Sequence, residues 1–181
     1  MNLVDLILKE HSKAQKDKIV RYVGSDAKRF AALVELFFKG PYRITQRASW
    51  PLSSIVEKHP LLIKPHLKKI LQNVMKPKQH DAVKRNTLRL LQYIEIPKAL
   101  QGLVADVCFQ LLSDRKEPVA IHAFAITVLT TLARQEPDLK NELIPLIEEQ
   151  LPYSSPAFVS RAKRALKELK SSSRQTAENI S

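Results

Sequence analysis

Apolar residues recur at three- and four-residue intervals along nearly the whole chain, and no stretch alternates convincingly with period two. That spacing stacks side chains on one face of an α-helix, because each residue advances the helix by about 100°. Prolines punctuate the pattern at Pro41, Pro60, Pro77, Pro97, Pro118, Pro137 and Pro156. A proline is tolerated in a first turn, where its missing N–H has no intrahelical partner to lose, so these positions read as helix starts. The pattern predicts ten helices, over residues 2–10, 13–23, 26–39, 43–58, 61–75, 80–94, 98–113, 118–134, 138–151 and 156–170. Ser25 and Asp26 offer an N-cap for the third, and Gly40 can end it. Pro51 falls inside the fourth and is expected to kink or interrupt it.

One helical face is copied four times. Take Ala48, Thr87, Ala125 and Ala162 as equivalent anchors. Large aliphatic residues then stand four positions on (Leu52, Leu91, Leu129, Leu166) and seven on (Ile55, Ile94, Leu132, Leu169). Four positions before the anchors stand Ile44, Val83, Ile121 and Phe158. The anchors step by 39, 38 and 37 residues. Prolines recur in phase, with Pro60, Pro97 and Pro137 after the anchor and Pro41, Pro118 and Pro156 before it. His80 takes the latter place in the second copy. A period of this length marks stacked helix pairs, each burying its apolar face against its neighbours.

Period and pattern together resemble the HEAT-repeat family over residues 41–170. The closest local matches are Pro118-Val119-Ala120-Ile121-His122-Ala123-Phe124-Ala125 and Pro156-Ala157-Phe158-Val159-Ser160-Arg161-Ala162. The resemblance implies an all-α, armadillo-type fold: a right-handed α-α superhelix forming one domain over residues 1–170. In such solenoids the second helix of each pair lines a concave face. Residues 1–40 carry no clean copy of the anchor face and are expected to cap the N-terminal end, with Phe30, Leu33, Val34, Phe37 and Phe38 closing it. The last helix alternates Lys/Arg with apolar positions, as a polar-faced terminal cap does. Residues 171–181 lack an apolar stripe and are expected to form a flexible tail.

Composition narrows the chemistry. Three glycines in 181 residues, against roughly 7% in an average protein, leave little room for Gly-rich phosphate loops or serial tight hairpins. The single Cys, Cys108, excludes an intrachain disulfide framework and a cysteine-rich zinc module. Its apolar neighbours make it a core residue rather than a nucleophile. No nucleophile elbow, P-loop or H-E-x-x-H motif is present, so no catalytic residue, metal or cofactor is assigned. His59 and His66 are seven apart, but Pro60 and Pro65 lie between them and no Cys or carboxylate stands at ligand spacing. His122, inside an apolar helix, reads as a packing or hydrogen-bonding residue. No run reaches the ~18 apolar residues that span a bilayer, so no membrane association is expected. With one thiol and no targeting segment, the expected location is cytoplasmic.

Charge adds a direction. Thirty Lys and Arg against eighteen Asp and Glu give +12, of which residues 1–80 carry +10. Such asymmetry suits an anionic partner near one end. Lys64, Lys68 and Lys69 fall within about 140° on the polar side of the helix expected at 61–75. Lys76 follows, and Lys84, Arg85 and Arg89 lie on the next helix, completing a basic zone. The second helix at 98–113 is nearly neutral, and the one at 138–151 carries an acidic zone of Glu142, Glu148 and Glu149. A surface passing from basic to acidic fits a protein of mixed charge, whereas a continuous nucleic-acid track would be repelled at the acidic end. The expected function is a non-catalytic interaction module that binds a protein on its concave face. The alternative is a nucleic-acid-binding solenoid related to HEAT-like alkylpurine DNA glycosylases, which use aromatic residues and an Asp on a basic concave face. Trp50 and Asp106 are the residues of those types here, although no local motif aligns them with that group. The partner's identity and the oligomeric state stay open.

Overall fold

The computed structural model describes residues 2–178, with side chains through Ser171. All regular structure among them is helical. In chain order the α-helices are α1 (Leu3–Lys9), α2 (Lys13–Val23), α3 (Ala27–Lys39), α4 (Tyr42–Lys58), α5 (Leu67–Val74), α6 (Asp81–Leu91), α7 (Lys98–Ser113), α8 (Val119–Leu132), α9 (Lys140–Gln150) and α10 (Pro156–Glu178). A 3-10 segment, Pro60–His66, precedes α5, and single 3-10 turns at Pro137–Leu139 and Leu151–Tyr153 flank α9. The chain divides into two compact units, Met1–Pro97 and Lys98–Ser181.

The first unit has two layers. Helix α4 packs beside α2 and α6, while α3 lies against α4 and the 3-10 segment, and α5 lies against α6. The helix starts are chemically marked. Ser12 accepts from the Gln15 N–H (3.1 Å), and Asp26 accepts from the N–H groups of Lys28 (2.8 Å) and Arg29 (3.0 Å). Those donors hold the Asp26 carboxyl below its ordinary value, the Arg29 N–H most of all. Gly24, at φ +53°, ends α2 in a conformation that costs a glycine little. Gly40 ends α3 for a different reason: a Cβ there would stand 2.5 Å from the Leu36 carbonyl oxygen and 2.7 Å from Ile44 Cγ2. The short α1 is held through its carbonyls, which accept from Gln15 Nε2 at Leu6 (2.5 Å) and from Arg47 Nη1 at Leu8 (2.8 Å). Between the layers Phe30, Leu33, Val34, Phe37, Leu52, Ile55, Ile63, Leu67, Ile70 and Leu71 are almost wholly removed from water.

The second unit is built on α8, which packs against α7, α9 and α10. Its core comprises Val104, Cys108, Leu112, Ile121, Ala125, Leu129, Leu143, Ile147, Phe158 and Ala162. Two buried polar side chains close backbone ends. His122 Nε2 donates to the Asp114 carbonyl (2.9 Å), and Gln150 Nε2 donates to that of Leu112 (2.9 Å).

All four anchors, Ala48, Thr87, Ala125 and Ala162, are 0% exposed. Several local expectations are corrected. Helix α4 continues through Pro51, losing one backbone donor rather than breaking. The helix expected at 61–75 is 3-10 in its first half, because Pro60 and Pro65 remove amide donors on both sides of that turn. Helix α6 stops at Leu91 rather than 94. The N–H groups of Gln92 and Tyr93 bond i−3 carbonyls there, and Ile94 is left half-exposed. At the far end the backbone of α10 runs on to Glu178, since no Gly or Pro follows Lys170 to stop it; 179–181 lie outside the described residues.

Candidate partner-binding surfaces

Charge divides sharply by unit. The first contains nineteen basic and eight acidic residues, a net of +11, and the second eleven and ten, a net of +1. Within the first unit the basic zone spans both layers. Lys64 sits on the 3-10 segment and Lys68 and Lys69 on α5, whereas Lys84, Arg85 and Arg89 belong to α6. Lys76 lies in the turn that joins them. Lys64, Lys68, Lys69, Lys76 and Arg85 are exposed, and Lys84 and Arg89 are half-buried.

Their pairing distinguishes them further. Lys69 Nζ stands 3.5 Å from the Glu35 carboxylate and 5.5 Å from the centre of the Phe38 ring. Glu35 also meets Lys39 at 2.9 Å, and that ammonium is the main cause of its lowered pKa. Arg89 reaches Glu57 at 3.7 Å, and Lys84 is likewise engaged. Lys64, Lys68, Lys76 and Arg85 form no ion pair among the described residues, so their charge is not cancelled within the unit.

The acidic zone lies on α9 of the second unit, where all three carboxylates are exposed. Glu148 pairs with Lys170 and Glu149 with Arg115, each at 2.6 Å, so Glu142 is the one member with no ion pair among the described residues. Sequence reading found the charges but not the pairs, which join residues 22 and 34 positions apart.

The other singled-out residues take structural places. Trp50 is half-buried on α4, its ring 6.2 Å from that of His11 and 5.4 Å from Lys16 Nζ. Asp106 is exposed on α7 of the second unit. Cys108 is fully enclosed, and burial pushes its thiol far above the ordinary range. His66 packs 5.8 Å from the Phe30 ring. Among the described residues no group of His, Cys, Asp or Glu is arranged to hold a metal ion. No helix among them is long and apolar enough to cross a membrane.

One further polar arrangement had no signal in the spacing. Asn86 of α6 accepts from Ser53 Oγ and donates to Ser49 Oγ of α4, both at 3.1 Å, while also donating to its own Ala82 carbonyl at 2.8 Å. All three side chains are buried. Flanking the anchors Ala48 and Thr87, they fix how α4 and α6 meet.

Stacked helix pairs with buried small anchors define an α-helical repeat protein. The family model for the HEAT repeat domain matches residues 5–169, and the chain belongs to that family. The match begins within α1, so it takes in the helices read from the sequence as a cap. Among solved structures the chain is similar to the crystal structure of an engineered protein from the Northeast Structural Genomics Consortium. The identity is 21% and the TM-score 0.62, over 93% of this chain and 80% of that one. At that identity the likeness concerns the fold alone. No curated protein matches the sequence.

Proposed function

We propose that this protein is a non-catalytic, cytoplasmic HEAT-repeat interaction module. Its first unit docks an acidic segment of a protein partner on the layer formed by α3, the 3-10 segment and α5. The observation that carries this reading is the exposure of Lys64, Lys68 and Lys76 with no carboxylate paired to them, in a unit of net charge +11. Such charges steer an oppositely charged partner and set its register, while the packed layers keep the surface rigid. Lys69 contributes from beside Glu35, and Arg85 supplies positive charge on the other layer. Glu142 gives the second unit a separate acidic contact, with Glu148 and Glu149, each already ion-paired, nearly two turns further along α9. Affinity capture from source lysate tests the assignment to a layer. A Lys64→Gln/Lys68→Gln variant should lose the partner that the wild-type chain retains, whereas Arg85→Gln should keep it. Equal retention by the first variant would contradict the reading.

A further inference from the structure

A groove of about 330 Å³ opens in the first unit where α3 ends and α4 and α6 begin. Its walls combine three kinds of group. Lys76 and Lys78 project from the turn after α5, Tyr42 from the first turn of α4, and Phe38 supplies an apolar side. No carboxylate lines it.

The polar groups are arranged as donors. His80 caps α6 by accepting the Ala82 N–H at Nδ1 (2.8 Å), which in the neutral ring places the proton on Nε2. Nε2 then donates to the Tyr42 oxygen at 2.5 Å, so the tyrosine's own hydroxyl proton is left to donate elsewhere. Asn73, only 4% exposed, borders the groove from α5. The turn that carries the two lysines is itself fixed. Gln79 Nε2 donates to the Asn73 carbonyl (2.9 Å), Gln79 Oε1 accepts from the His80 N–H (3.0 Å), and Lys78 is held at φ +58°.

We propose that this groove binds a small phosphate monoester, with the phosphoryl oxygens among Lys76, Lys78 and the Tyr42 hydroxyl, and the organic body against Phe38. Two ammonium groups and a hydroxyl donor suit a dianion with three free oxygens better than a monoanionic carboxylate. The volume is at the lower end of small-molecule pockets, larger than a bare oxyanion needs. This site goes beyond the protein-docking reading: it shares Lys76 with that surface but requires neither Lys64 nor Lys68.

The test is titration of the full chain with phenyl phosphate at low salt, followed by calorimetry and by the backbone amide signals of Lys76 and Lys78 in nitrogen-15 NMR. Saturable binding about tenfold tighter than that of inorganic phosphate is expected. It should shift the Lys76 and Lys78 amides and be weakened about tenfold by Lys76→Gln/Lys78→Gln. Those two lysines are exposed, so that variant leaves the core intact. No saturation below about 10 mM would overturn the site. So would an equal loss in Lys64→Gln/Lys68→Gln, which would mark general charge attraction instead. Failure of this titration leaves the protein-docking prediction standing, since that one is read on Lys64 and Lys68.

Discussion

Replacing Asn86 with Leu removes the polar tie between α4 and α6 while nearly conserving volume. The two cross-helix hydrogen bonds, to Ser49 and Ser53 at 3.1 Å each, are lost. At about 0.5–1.5 kcal/mol net per bond, the variant should be destabilised by about 1–3 kcal/mol. The serines are not orphaned completely: Ser49 still donates to the Gln46 carbonyl (2.7 Å), and the single Ser53 proton, shared between Asn86 Oδ1 and the Trp50 carbonyl (3.0 Å), passes wholly to the latter. The cost should therefore stay within that range rather than rise toward the full penalty of a buried unsatisfied group. Urea denaturation of wild type, Asn86→Leu, Ser53→Ala and the double variant completes a cycle. The coupling should be about 0.5–1.5 kcal/mol, because once either partner is gone, losing the other removes no shared bond. A corresponding loss of about 2–4 °C in melting temperature per kcal/mol is expected for a chain of this size. Strict additivity, or an Asn86→Leu variant as stable as wild type, would refute the claim that this network fastens the two helices.

Other perturbations read different parts of the account. Thr87 is the one anchor that is not Ala, and its buried hydroxyl has no partner among the described residues; Thr87→Val should raise stability by about 1 kcal/mol in the same denaturation assay. Gly40→Ala must displace the Leu36 carbonyl or Ile44 and should cost about 1–3 kcal/mol, and an unchanged midpoint would reject that close approach. Burial lowers the pKa of His66, opposed by the Glu35 carboxylate and reinforced by the Lys69 ammonium. The unfolded chain therefore binds more protons just below about pH 6.5, and the stability due to this group falls as pH drops through that region. Thermal melts of His66→Gln should show a shallower decline than wild type between about pH 7 and pH 5, and equal slopes would contradict the assignment.

The repeats were legible because burial of the anchor face dictates both spacing and residue size. Leu52, Leu129 and Leu132 are nearly inaccessible to water, as their place in the pattern requires. Ile94 shares that spacing but lies beyond the end of α6, where local i−3 bonding overrides the apolar period. The 3-10 segment was hidden for a related reason: Leu61, Leu62, Ile63 and Leu67 suit either helix type, and the two prolines settle which forms. Cationic residues could be counted from the chain, whereas their neutralisation by Glu35 and Glu57 depends on packing between distant helices. Asn73 gave no sign at all. It occupies a position on α5 that the helical period assigns to neither face, and only the fold buries it beside the groove, with its Nδ2 enclosed and unpartnered among the described residues.

The central claim is that the basic first unit serves protein recognition rather than nucleic-acid binding. Capture from source lysate on the immobilised full chain, with and without exhaustive nuclease treatment, tests it most directly. The account predicts a protein that stays bound after nuclease and is released as salt rises, because screening weakens the steering charges on Lys64 and Lys68. Release of all captured protein by nuclease, with nucleic acid recovered from the untreated sample, would contradict it.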